Sequence, residues 1–190
     1  MINLTTLEHV RRLLEEPDAS FDNDLENRII DVSFRVQSVY GIDLEQQTYT
    51  EIKDGGSKRI YVDNPPILSV TSVTLSNDFD FSSGEIVPAT EYLIVNRGWD
   101  IEHQTCWAAG PSSVRVIYVG GYLAPTDPAS TLPRAIQEAV ARQVAYEFEH
   151  RKSIGLTSVD FPDGSLSKET DGFLKSVKIV LNTLRKTKIG

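Results

Sequence analysis

The chain has 190 residues, is 40% hydrophobic and 24% charged, and carries a formal charge of −8 at pH 7. These are the fractions of an ordinary soluble globular protein, long enough to bury a core as one domain or two small ones. No run of about 18 apolar residues occurs, which excludes a membrane-spanning helix. The opening stretch, MINLTTLEHVRRLLEE, carries charges where a signal peptide needs an apolar block. Cys106 is the only cysteine, so no internal disulfide can form, and the expected compartment is a reducing cytoplasm.

The charge is uneven. Residues 1–150 hold 11 Lys/Arg against 23 Asp/Glu, a net of −12, whereas residues 151–190 hold 8 against 4, a net of +4. An acidic body repels phosphate backbones, which argues against sequence-independent nucleic-acid binding by the main part of the chain. The basic tail can meet an acidic surface, or it can be a solvated helix face.

Residues 1–45 read as a helical hairpin. Thr5 and Glu8 form a capping-box pattern, and Leu7, Val10, Leu13 and Leu14 follow at helical spacing. Pro17 ends that helix and DASFDND makes the connection. Asp22 or Asn23 can cap a second helix with Leu25, Ile29, Val32, Val36 and Val39 as its apolar stripe, and Gly41 stands at its C-terminal end.

Residues 46–119 change period. TYTEIK and KRIYV alternate on either side of DGGS, which is a hairpin signal. PPILSVTSVTLS, EYLIVN and SSVRVIYV are rich in β-forming residues. Short strands separated by turn residues, with no helices between them, predict one antiparallel sheet region rather than a β-α-β array.

Residues 120–156 return to helix. Thr131 can act as the N-cap and Pro133 sits in the first turn, where its missing N–H costs nothing. Ile136, Val140, Val144 and Phe148 then lie four apart, a stripe predicted to be buried. HRKSIG brings positive charge to the helix C-terminus. Residues 157–190 open with a loop, LTSVDFPDGSLSK, and continue as a last helix from about Thr170. Its apolar stripe is Phe173, Val177, Val180, Leu181 and Leu184, and its cations are Lys175, Lys178, Arg185, Lys186 and Lys188. The fold class expected is therefore α+β, with N- and C-terminal helices forming one body and an antiparallel β region inserted between them.

Residue patterns that carry chemistry are few. Gly120 and Gly121 end a strand, but residues 122–130, with two prolines among them, separate them from the next helix. A phosphate loop delivers its glycines onto the helix N-terminus itself, with a Gly-Lys-Ser/Thr ending. His103 and Cys106 have a spacing seen in metal sites, yet a structural zinc needs four ligands and no second pair is present. Asp78, Asp80 and Ser82 begin like a calcium loop that then has Ser83 at the glycine position and Ala89 at the final Glu position. His9, His103 and His150 lie on different predicted elements. No catalytic, metal or cofactor site is expected, which favours a binding or assembly protein over an enzyme. The competing reading is a small cytoplasmic enzyme using Cys106 or a carboxylate.

The order of elements carries a further signal. TTLEHVRRLL, a helix ending VYG, IYVDNPPILSVTSVTL, VRVIYVGGY, LPRAIQEAVARQVAYEFEHR and a last helix ending LNTLRK together span almost the whole chain. In this order they resemble the phage head–tail connector, or adaptor, proteins. The resemblance implies a virion neck protein without chemistry of its own, assembled in the host cytoplasm as a ring of about twelve copies beneath the portal. It implies the portal, other copies and a downstream neck or tail protein as partners, with genomic DNA passing through the lumen without sequence-specific contact and no membrane involved. A stopper or tail-completion protein of the same neck is the neighbouring alternative. On this reading the basic C-terminal segment, with Phe173, Val177, Val180, Leu181, Leu184 and its five cations, is expected to dock on the portal. The β region departs from the all-helical minimal members of that family.

Overall fold

A computed structural model describes residues 1–15, 18–151, 158–161, 164–167 and 172–182. The elements in chain order are α1 (Leu7–Leu13), a 3₁₀ turn (Ala19–Phe21), α2 (Asp22–Tyr40), β1 (Gln47–Lys53), β2 (Arg59–Tyr61), β3 (Ile67–Leu75), β4 (Glu85–Ile86), β5 (Tyr92–Val95), β6 (Asp100–His103), β7 (Val114–Gly120), α3 (Arg134–Glu149), β8 (Ser158–Phe161), β9 (Gly164–Ser167) and α4 (Lys175–Leu181). The fold is α+β. The chain divides into two compact units, one made of Met1–Gly41 with Ala124–Gly190 and the other of Ile42–Leu123.

The helical unit is built around α3, which packs against α1, α2 and α4. Ile136, Val140, Val144 and Phe148 are buried, as their spacing requires, and Ala139, Ala141, Gln143 and Ala145 join them. Small residues beside the stripe let the neighbouring helices approach α3 closely. Val10, Leu25, Ile29, Val32 and Val36 complete this core. Val39, expected in the same stripe, is exposed near the C-terminal end of α2, where Gly41 closes the helix at φ 63°.

The helix starts differ from the sequence reading. Thr6, not Thr5, caps α1 by accepting a hydrogen bond from the His9 N–H at 3.2 Å, and Thr5 is buried instead. Asp22 is the first residue of α2 rather than its cap. The chain enters through the 3₁₀ turn, whose N-cap is Asp18, accepting from the Ser20 N–H at 3.0 Å. Thr131 does not cap α3. Pro133 occupies that position, and the Gln137 side chain donates back to the Leu132 carbonyl at 2.8 Å. The stretch read as a loop before the last helix contains an antiparallel hairpin, β8 with β9.

In the β unit two sheets replace the single one expected. One has the order β1-β7-β3-β4 and the other β2-β6-β5. They share one hydrophobic cluster that includes Ile60, Val73, Ile101, Trp107, Val114, Val116 and Tyr118. β7 alternates strictly between buried and half-buried residues because it is the central strand, with Tyr49 opposite Tyr118 on one side and Val70 on the other.

The DGGS hairpin does not form. β1 pairs with β7 and β2 with β6, so residues 54–57 carry the chain from one sheet to the other. The amides of Gly55 and Gly56 donate to the carbonyls of Gly110 and Trp107, not across a two-strand turn. A Cβ at Gly55 would lie 1.7 Å from the Ala108 oxygen, so glycine is needed there for backbone approach. The Gly-Gly pair ending β7 has a similar task. Gly121 has φ 91° and its N–H donates to the Pro66 carbonyl, while the Tyr122 N–H donates to the Leu44 carbonyl and the Gln46 N–H to the Tyr122 carbonyl. It is a strand-closing turn, not a phosphate loop.

Candidate functional site

The residues with the most reactive side chains are dispersed. Cys106 is exposed. His103 Nε2 lies 3.6 Å from a Glu91 carboxylate oxygen, its Nδ1 accepts from the Thr105 N–H at 3.2 Å, and its ring lies 4.8 Å from that of Trp107. Among the described residues no group of three His, Cys, Asp or Glu is placed to hold a metal. Cys106→Ala should therefore change stability by no more than the roughly 0.5 kcal/mol typical of surface substitutions, which thermal melts of the two proteins would check.

The acidic loop after β3 spends its oxygens on itself. Asp78 accepts from the Ser76 hydroxyl and from the Asp80 N–H, and Asp80 accepts from the Ser82 N–H at 2.9 Å. Those hydrogen bonds hold both carboxyls below the usual carboxylate range. Such turns order a loop without a cation.

The densest polar cluster in the β unit centres on Glu51. Its carboxylate accepts from the Tyr118 hydroxyl, from the Asp63 N–H and from the Lys53 ammonium, which also reaches Asp63 at 2.8 Å. Burial, and then the Glu51 hydrogen bond, push the Tyr118 hydroxyl far above its ordinary range, so it stays a donor. Burial alone would lower the Lys53 ammonium, but Asp63 and Glu51 outweigh it and hold it above its usual value. Asn64 adds a bond to the Asp43 N–H. Each group has its partner inside the cluster, which pins the 63–64 turn to β1 and β7. These bonds fix the turn.

In the helical unit His9 Nε2 lies 2.7 Å from a Glu138 oxygen, and the other Glu138 oxygen accepts from Arg142 Nε at 2.8 Å. Thr5 Oγ1 stands 3.4 Å from His9 Nδ1. The row resembles a hydrolase triad in outline, but Thr5 is 1% exposed and substrate cannot reach it. The arrangement ties α1 to α3. Arg142 first, and then His9, hold the Glu138 carboxyl below its ordinary value. A depressed carboxyl contributes stability that is complete above its unfolded value and lost as pH falls through its folded one. The melting-temperature gap between the protein and Glu138→Gln should thus be widest near neutral pH and close in acid.

The C-terminal segment is placed differently from the docking surface the sequence suggested. Phe173, Val177 and Leu181 are buried and Val180 is half-buried within the chain's own helical unit. The helix starts at Lys175 rather than near Thr170, and Thr170, Leu184, Arg185, Lys186 and Lys188 lie outside the described residues. The Gln143 side chain donates to the Gly172 carbonyl at 2.8 Å and accepts from the Leu174 N–H at 2.9 Å. Arg35 stacks over the Phe173 ring at 5.3 Å and pairs with Glu147. Phe173, Val177 and Leu181 are already covered within the chain, where α4 packs against α3. What α4 leaves to solvent is Lys175, Ser176 and Ile179.

Ile30 and Phe34, outside the predicted stripes, are 51% and 56% exposed on α2. Their signal is present in the sequence: two large apolar side chains four apart on the face opposite the buried stripe.

No protein-family profile matches the chain, and no curated protein does. Solved structures do. A chain in the neck of an empty gene transfer agent (GTA) particle, computed with C6 symmetry, is 14% identical, with a TM-score of 0.60 over 98% of this chain and 92% of its own. A chain in the virion of a native GTA particle is 15% identical, with a TM-score of 0.61 over 100% of this chain and 94% of its own. A chain in the neck of a native GTA particle, computed with C12 symmetry, is 15% identical, with a TM-score of 0.54 over 97% of this chain and 90% of its own. At these identities the likeness is one of fold, and that fold, both units included, is shared with chains of GTA particles.

Proposed function

We propose that this protein is a structural component of the neck of a phage-like particle, a head–tail connector that forms a ring of about twelve copies. The observation that carries the reading is the near end-to-end likeness of fold to chains of GTA necks, which covers both units of this chain and nearly all of each neighbour. The polar clusters support it from the other side, since each is spent on fixing a turn or joining two helices. The ring sits between the portal and a downstream neck or tail protein, and the genome passes through its lumen. The acidic body suits such a lumen, because a wall that attracted phosphate would hold the DNA back. Contact with the portal falls to the cationic end of the chain, Arg185, Lys186 and Lys188, since the apolar stripe before it is occupied. Electron microscopy of the particle that contains this chain, with the neck resolved, tests the proposal. Density for this fold directly below the portal is the expected result. Density at the tail side of another ring would make it a stopper, and its absence from the particle would end the structural reading.

A further inference from the structure

We infer that the outward face of α2 is a docking surface for a second copy of this chain, which seats the outward face of its own α4 there. α2 buries Leu25, Ile29, Val32 and Val36. Directly opposite, at helical spacing, lie Asn23, Asn27, Ile30, Phe34 and Ser38, all exposed and none charged. A helix facing only water carries its charges at that pole. Here the charges have been moved aside. Asp22 pairs with Arg11, Asp24 with Arg28 and Arg35 with Glu147. Glu26 and Asp31 remain, exposed on either flank of the apolar pole and without an ion pair among the described residues. An uncharged pole with two large apolar side chains between two carboxylates fits a helix that brings an apolar residue and a cation.

The same unit carries that complement elsewhere. On α4, Ile179 is 64% exposed one turn after Lys175, which is also exposed and has no ion pair among the described residues. The chain from 170 to 190 holds five Lys/Arg against one Asp, so a long-range attraction brings α4 rather than another acidic face to α2. Two α2 faces meeting each other would instead oppose Glu26 and Asp31 to their own kind. Complementary patches at different places on one chain give a head-to-tail contact, which leaves one free face on each copy and closes a ring if the rotation permits. The contact deepens the ring reading and relies on it only for closure.

The test uses two full-length chains in a Cys106→Ala background, one with Asn27→Cys and the other with Ser176→Cys and a mass tag, both exposed positions beside the apolar anchors. Mixed at high concentration and treated with a short bifunctional maleimide, they should give a tagged–untagged cross-link. Lys175→Glu in the tagged chain should remove that cross-link, and Glu26→Lys with Asp31→Lys in the other should restore it, with melting temperatures unchanged throughout. Cross-links between Asn27→Cys copies alone, or no cross-link at all, would overturn the inference. The outcome is separate from that of the particle microscopy. A neck position without this cross-link means a ring built on other surfaces, and the cross-link without a neck position means self-assembly in another role.

Discussion

Val144→Asp should leave no soluble, folded protein. Val144 has no exposed surface and sits on α3 between Val140 and Phe148, on the face that meets three other helices. A carboxylate placed there loses its water. His9, Arg142 and Arg35 are engaged with Glu138 and Glu147. Burying an unpaired charge costs several kcal/mol even after the group is driven to its neutral form, against a total stability of about 5–15 kcal/mol. Arg134→Asp is the matched control. It also adds a carboxylate to α3, but at an exposed position in the first turn, where the helix dipole favours negative charge. Expression and circular dichroism should show the control folded and Val144→Asp insoluble. A soluble Val144→Asp protein with a full helical signal would mean that α3 is not the centre of the helical unit.

The parts of the fold that one element can specify alone were legible in the sequence. The stripes of α2 and α3 are each set by a period within a single helix, and Ile136, Val140, Val144 and Phe148 could be named without any partner. Gly41 works the same way, since the left-handed turn it supplies is local. Strand partners are not local. Alternation around DGGS fits a hairpin, but β1 takes β7 because Val114, Val116 and Tyr118 bury one face of that strand completely, which makes it the centre of the sheet. The Glu51 cluster gathers residues from β1, the 63–64 turn and β7, and no spacing in the sequence announces it. The last helix shows the limit from the other direction. Its stripe was readable, but an amphipathic pattern does not say whether the surface it needs belongs to the same chain or to another. Within this chain Gln143 ties the segment to α3, through hydrogen bonds to Gly172 and Leu174 that the pattern could not encode.

Deleting residues 170–190 should unfold the helical unit. The deletion removes Phe173, Val177 and Leu181, which are 5%, 1% and 0% exposed, and uncovers the face of α3 beneath them. Truncating one buried Phe or Leu to Ala costs about 2–5 kcal/mol, so losing three buried side chains together reaches the scale of a whole domain's stability. Gln143, 1% exposed in the intact protein, also loses its partners at Gly172 and Leu174. Arg35 loses the ring it stacks on, although its pair with Glu147 remains. The β unit has its own hydrophobic cluster, so its strand signal should outlast the helical one in a thermal melt followed by circular dichroism. Ile179→Glu gives the contrast, because an exposed residue on the same helix can change without touching the core. It should melt like the parent while, combined with Ser176→Cys, failing to cross-link to a second copy through α2. If the truncated chain instead keeps its helical signal and melting temperature, α4 is a detachable arm. In that case Phe173, Val177 and Leu181 would be free to leave α3 and dock on the portal, and the apolar stripe would regain the role its sequence first suggested.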